Sequence, residues 1–138
     1  MSEIIGFNNA IFWTDDSEIL YCEFNNSDPN FKLNHDNKQS YIQAITKLCK
    51  GRTMPFLIDL KGTRGTFSVS ATKFLANSPE LKNVRTSESY ITNALSTKLL
   101  IGVYKRLYDP ITPFGVFSEF DDAENFCLRA KDRVYGYN

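Results

Sequence analysis

The run Met54-Pro-Phe-Leu-Ile-Asp-Leu60 constrains this chain more than any other stretch. From Phe56 to Leu60 it is apolar except for one acid, which suits a strand buried on both faces. Segments of helical period flank it. Upstream, Tyr41, Ile42, Ile45, Leu48 and Cys49 predict a helix from about Asn34 to Lys50, closed by Gly51. Downstream, Ala71, Phe74 and Leu75 predict a second helix with Ser68 as N-cap and Pro79 just past its end. Strands alternating with helices require parallel pairing through right-handed crossovers.

The remaining segments extend that pattern. Ala10 to Trp13 and Ile19 to Phe24 are short β-type runs around Thr14-Asp-Asp-Ser17, whose turn residues predict a hairpin. Asn25-Asn-Ser-Asp-Pro29 interrupts the periodicity. Ser89 to Leu95 reads as a strand on the strength of Tyr90, Ile91 and Thr92. Ser96 or Thr97 opens a third helix whose apolar positions are Leu99, Leu100, Val103 and Leu107. After Asp109-Pro-Ile-Thr-Pro113, a stiff connection, Phe114 to Phe117 forms the last strand. Ser118 and Asp121 resemble a capping box for a final helix carrying Ala123, Phe126, Cys127 and Ala130, with a partly ordered tail from Asp132. The predicted order is β-β-α-β-α-β-α-β-α. This is one α/β domain over residues 1–138, a mostly parallel sheet with an N-terminal antiparallel hairpin and packed helices.

Composition excludes several classes. The 138 residues are 42% hydrophobic and include 11 Phe and 7 Tyr, enough to bury a core. Lys plus Arg equals Asp plus Glu at 16 each, which argues against a protein whose main partner is nucleic acid. The N-terminus lacks a basic region followed by an apolar one, and no segment approaches the roughly 20 apolar residues of a membrane span. The 3 cysteines, Cys22, Cys49 and Cys127, are widely spaced among apolar residues and read as buried thiols in a reducing cytoplasm. Neither zinc-site spacing nor a cofactor motif is present, so no metal and no cofactor is expected.

Three features together carry a family resemblance. They are the hairpin, the strand Phe56-Leu-Ile-Asp-Leu60 leading through a small loop into a helix, and the closing Phe117-Ser-Glu-Phe-Asp-Asp-Ala-Glu-Asn-Phe-Cys127. With Ser96-Thr97, Pro110-Ile-Thr-Pro113 and Phe117-Ser118, they make the chain resemble STAS-type domains, the anti-sigma-factor-antagonist folds. It is most similar to small stand-alone bacterial STAS-like proteins of unknown function. The resemblance implies a regulatory module that docks on a partner protein and is released by phosphorylation at the start of the second helix. A dianion there meets both the helix dipole and any docked surface. Sliding the family's Asp-Ser-Ser-Gly pattern from Asp59 places Phe67, Ser68, Val69 and Ser70 on its four positions. The recognised switch motif is therefore absent, and Ser68 and Ser70 are the candidate phosphorylation sites.

Lys61-Gly-Thr-Arg-Gly-Thr66 sits at the carboxyl end of a parallel strand, where open α/β sheets bind ligands. It reads either as a strand–helix turn needing glycine's freedom or as an anion cradle of free N–H groups. The candidate contact residues are Asp59, Lys61, Gly62, Arg64, Gly65, Thr66 and Ser68. Asp59 inside its strand suits hydrogen bonding to nearby backbone better than catalysis. His35, the only histidine, reads as a surface residue, and Lys98, Lys105 and Arg106 suggest a basic flank on the third helix. Trp13 and Phe12 point to opposite faces of an expected edge hairpin, one of them into the core; self-association as a homodimer is left open. The expected function is a non-enzymatic, cytoplasmic interaction module with an unidentified protein partner, neither binding nucleic acid nor spanning a membrane. It docks through the loop and start of the second helix. The alternative is a lipid- or anion-binding protein with its site at the strand C-terminal ends.

Overall fold

Alternating burial along the first strands and continuous burial along a central one build one mixed sheet. The computed structural model describes residues 2–135. Its order is β1 (Glu3–Gly6), β2 (Ala10–Thr14), β3 (Leu20–Asn25), α1 (His35–Cys49), β4 (Met54–Gly62), α2 (Gly65–Asn77), α3 (Pro79–Lys82), β5 (Arg85–Ile91), α4 (Leu95–Tyr108), β6 (Phe114–Phe117) and α5 (Phe120–Tyr135). The strands lie in sequence order from β1 to β6. The first three pair antiparallel, and β3 to β6 pair parallel, as the α/β reading expects.

Each parallel connection steps one strand in the same direction, so right-handed crossovers stack α1, α2 and α4 on one face. There Tyr41 and Ile45 of α1, Phe67 and Phe74 of α2, and Ile101 of α4 join Phe12, Phe24, Phe56 and Ile58 in the main core. Helix α5 covers the other face, where Ala123 and Cys127 pack on Ile19, Tyr21, Leu57 and Ile91. Strand β4 thus faces helices on both sides. Trp13 is half-buried on the α5 side and stacks on Tyr21 with centroids 5.2 Å apart. Tyr21 in turn lies against Phe120 and donates its hydroxyl proton to Glu124 at 2.8 Å. All three cysteines are free and buried.

Local chemistry explains the helix ends. The Asn34 side chain accepts from the Asn37 N–H and the Asn37 side chain from the Asn34 N–H, a reciprocal cap that starts α1. Lys50 and Gly51 take left-handed conformations and stop it. Several boundaries differ from expectation. β1 pairs with β2, so the Trp13 strand is not an edge. α2 begins at Gly65, not after Ser68, and α5 begins one residue beyond a Ser118-capped start. The tail expected from Asp132 continues α5 as far as Tyr135, and its remaining residues lie outside those described.

The largest departure concerns β5, which begins at Arg85, four residues before the expected strand. Arg85 pairs with Met54 and Glu88 with Phe56, so three steps along β5 match two along β4. That extra residue is a β-bulge. It turns Arg85 and Glu88, which ordinary alternation would send to opposite faces, toward the same helical side. Arg85 bonds Glu88 at 3.0 Å and Asp109 at 2.7 Å; Lys105 bonds Asp109 at 3.0 Å and also Glu88. The Tyr90 hydroxyl adds a bond to Glu88 at 2.9 Å. All five residues are at most 5% exposed.

Removing one member leaves a buried charge short of its partner, so Lys105→Met should lose about 3–5 kcal/mol in urea unfolding. A loss below about 1 kcal/mol would show the cluster to be dispensable. Burial alone would raise the Asp109 carboxyl, but hydrogen bonds from Thr112, Arg85 and Lys105 outweigh it and hold it well below the usual carboxylate range. A depressed folded value contributes stability above the unfolded value of about 4, and loses it as pH falls toward the lower folded value. Urea midpoints measured down through that window should fall more steeply for the native chain than for Asp109→Asn. Parallel acid slopes would remove Asp109 from the account.

Candidate functional site

The strongest sequence candidate is the turn joining β4 to α2. Lys61, Gly62, Arg64, Gly65 and Thr66 are exposed on it, while Ser68 and Ser70 lie beneath. The structure does not gather all of them. Asp59 shares a sheet face with Leu57, on the α5 side and away from α2, and its Oδ1 accepts the Lys61 N–H at 2.9 Å. Asp59 therefore holds its own turn.

Residues that sequence reasoning passed over shape this site. Asn26 is buried, and its side chain grips the Arg64 peptide from both sides: Oδ1 accepts the Arg64 N–H at 3.0 Å, and Nδ2 donates to the Arg64 carbonyl at 3.2 Å. Nδ2 also donates to the Asp28 carbonyl at 2.6 Å. The Thr66 N–H donates to the Pro29 carbonyl at 2.7 Å. Two donors that an anion cradle would need are thus spent on the segment 26–29. Its only sequence signal was the cluster of Asn, Ser, Asp and Pro, residues that bond backbone locally.

Gly65 has a φ of 65°, and a Cβ placed on it would collide with the Pro29 carbonyl oxygen. It turns the strand exit into the helix four residues earlier than a Ser68 cap would allow, which makes Arg64 the N-cap residue, without a side-chain cap bond. Ser68 consequently sits in the first turns of α2, donating to Thr63 Oγ1 at 2.8 Å, and Thr63 passes the chain to the Leu60 carbonyl at 2.7 Å. Ser70 accepts the Leu33 N–H at 3.2 Å and donates to the Phe67 carbonyl at 3.3 Å. Modification of either hydroxyl requires this region to open.

A second surface adjoins the turn. Helix α4 buries Thr97, Ile101 and Lys105, whereas Leu95, Leu99, Val103 and Leu107 are 70%, 62%, 38% and 66% exposed. Of the apolar positions read from the sequence, Leu99, Val103 and Leu107 face out and Leu100 is half-buried, while Lys105, expected on a basic flank with Lys98 and Arg106, faces in. Lys105 is drawn inward by Glu88 and Asp109, and residues at i and i+4 share a face. One line of side chains then enters the core, and the line of leucines turns away from it. Because α2 and α4 each return between parallel strands and pack together, they run parallel. Leu95 and Leu99 therefore lie at the end of the helical layer that carries Arg64 and Val69.

The order and pairing of these elements form a STAS-like fold. The fold is similar to that of an uncharacterized protein of the DUF3478 family, with a SpoIIAA-like fold, from Shewanella loihica PV-4. The TM-score is 0.58 over 92% of each chain, at 15% sequence identity, a likeness of fold alone. Residues 12–131 match the model of the domain of unknown function DUF7793, and the chain belongs to that family. No curated protein matches it.

Gly65→Ala should destabilise by about 2 kcal/mol or more, since it adds both strain and a clash. Gly6→Ala, where a Cβ meets open space, should stay within about 0.5 kcal/mol. Equal urea midpoints for the two variants would refute the clamp.

Proposed function

We propose that this chain is a non-enzymatic protein-interaction module of a regulatory kind, docking a partner through the β4–α2 turn and the outer face of α4. The observation that carries the reading is the reversed amphipathicity of α4. Single exposed apolar residues are ordinary, but Leu95, Leu99, Val103 and Leu107 form one continuous line along a helix. Such a line matches helix-in-groove recognition, in which side chains four residues apart act as anchors. Lys98 and Arg106 flank it and Arg64 stands at its end of the domain, all exposed, so the fitting partner presents an apolar face edged with acids. Binding rather than catalysis is supported by what the ionisable groups do: Asp59 bonds backbone, and the charges of Glu88, Asp109, Arg85 and Lys105 pair with one another inside the fold.

The test places a photo-crosslinking amino acid at Leu99 and, as control, at the exposed Lys47 of α1. The expected result is an adduct of defined mass from position 99 only, abolished by Leu107→Glu. A surface change of that kind should alter stability by no more than about 0.5 kcal/mol, while a charge set into the apolar line weakens binding by about 30-fold. Adducts from both positions alike, or none from 99, would reject the reading. An adduct of two copies would assign the face to self-association.

A further inference from the structure

A groove of about 520 Å³ runs between α1 and α2, with Tyr104 of α4 and the start of α3 at its edge. Ile42, Val69 and Phe74 contribute apolar surface to it. Its charges come from separate parts of the chain: Lys32 precedes α1, His35 and Lys38 lie in the first turns of α1, and Lys73 belongs to α2. The acid among its lining residues is Glu80. Three lysines against one glutamate leave an excess of two positive charges, in a chain whose formal net charge is zero. Among the described residues no carboxylate forms an ion pair with Lys32, His35, Lys38 or Lys73.

We propose that this groove is a binding site for a phosphate monoester carried on a small apolar or aromatic body. A dianion balances the excess charge, and lysine ammoniums reach phosphate as flexible point charges. In the first turn of α1 the Asn37 N–H is taken by the Asn34 cap and Asp36 opposes the helix dipole, so the lysines carry the attraction. The ligand's body lies on the apolar surface of Ile42, Val69 and Phe74, and the groove's volume is that of a small-molecule site. An ordinary solvated helix flank mixes its signs; here cations from three segments line one groove with apolar side chains, Lys73 resting its ammonium over the Tyr108 ring 6.0 Å from the centroid and within reach of the groove, which selects an amphipathic anion. The site lies on the outer side of the helical layer rather than at the strand C-terminal ends, and of the contact and phosphorylation candidates named from sequence it includes Thr66 and Ser70, with His35 beside them. It does not depend on the docking face of α4.

The test is a titration of the purified chain with phenyl phosphate, inorganic phosphate and benzyl alcohol, followed by backbone amide shifts. Phenyl phosphate should saturate with a Kd of about 1 mM or tighter, moving the signals of His35, Lys38, Val69 and Lys73. Inorganic phosphate should bind more weakly for want of apolar contact, and benzyl alcohol for want of charge. Lys38→Gln and Lys73→Gln should each weaken phenyl phosphate by about tenfold, and Lys47→Gln, outside the groove, should leave it unchanged. All three positions lie on helix surfaces, so the variants keep the fold, and unchanged amide spectra verify this. Vesicles containing phosphatidic acid separate the sources. Co-sedimentation lost in the two groove variants assigns the monoester to a lipid headgroup, whereas phenyl phosphate binding without co-sedimentation assigns it to a soluble compound. Absence of saturation up to about 10 mM phenyl phosphate, or binding indifferent to Lys38→Gln and Lys73→Gln, overturns the proposal.

Discussion

The buried cluster of Arg85, Glu88, Lys105 and Asp109 governs how the helical layer meets the sheet. Two cations and two carboxylates taken out of water together cost several kcal/mol each in desolvation, and their mutual pairing offsets this only with good geometry. Here each carboxylate meets both cations, and Arg85 also donates to the Leu75 and Ala76 carbonyls at the end of α2. The gain in net stability from such an arrangement is small. Its stronger consequence is orientation, because turning α4 about its axis would bury leucines at the expense of drawing Lys105 and the adjoining Asp109 away from Glu88 and Arg85 of β5.

That constraint explains what sequence could and could not convey. The helix of Asn34 to Lys50, the two-sided strand of Phe56 to Leu60 and the hairpin were legible because their signals are local: caps, periodicity and turn residues. The placement of β5 was not legible, since Arg85-Thr-Ser-Glu88 reads as a polar loop until Lys105, 17 residues beyond Glu88, and Asp109, 24 beyond Arg85, neutralise its charges. The same ignorance inverted α4. Its hydrophobic period marks a helix, but which face turns inward depends on a charge whose partner Glu88 lies in β5. β1 was missed for a plainer reason: four residues with alternating partial exposure carry little burial to detect.

The β4–α2 turn shows the same division at smaller scale. Two glycines near a strand end announced a turn, and a turn it is. The need for Gly65 itself arises from Pro29, and the anchoring of Arg64 from Asn26, 38 residues earlier. No local pattern marks Ser68 as lying inside the helix rather than capping it, because Ser is common in both roles at a helix start. What decides is the left-handed glycine three positions before it, which begins the helix early.

Taken together these contacts make α2 the fixed member of the helical layer. Its first turn is clamped by Asn26 and Pro29, its last carbonyls are held by Arg85, and its inner face carries Phe67, Ala71, Phe74 and Leu75 into the core. Recognition surfaces gain affinity when they are ordered before a partner arrives, since the entropy of ordering is then already met by folding. A helix secured at both ends and along one face provides that order to what lies beside it. The groove on its α1 side and the leucine line on its α4 side thus share one rigid support. A perturbation reaching α2 through either Gly65 or Arg85 would therefore be felt at both surfaces, while one confined to the outer residues of α4 would leave the groove unchanged.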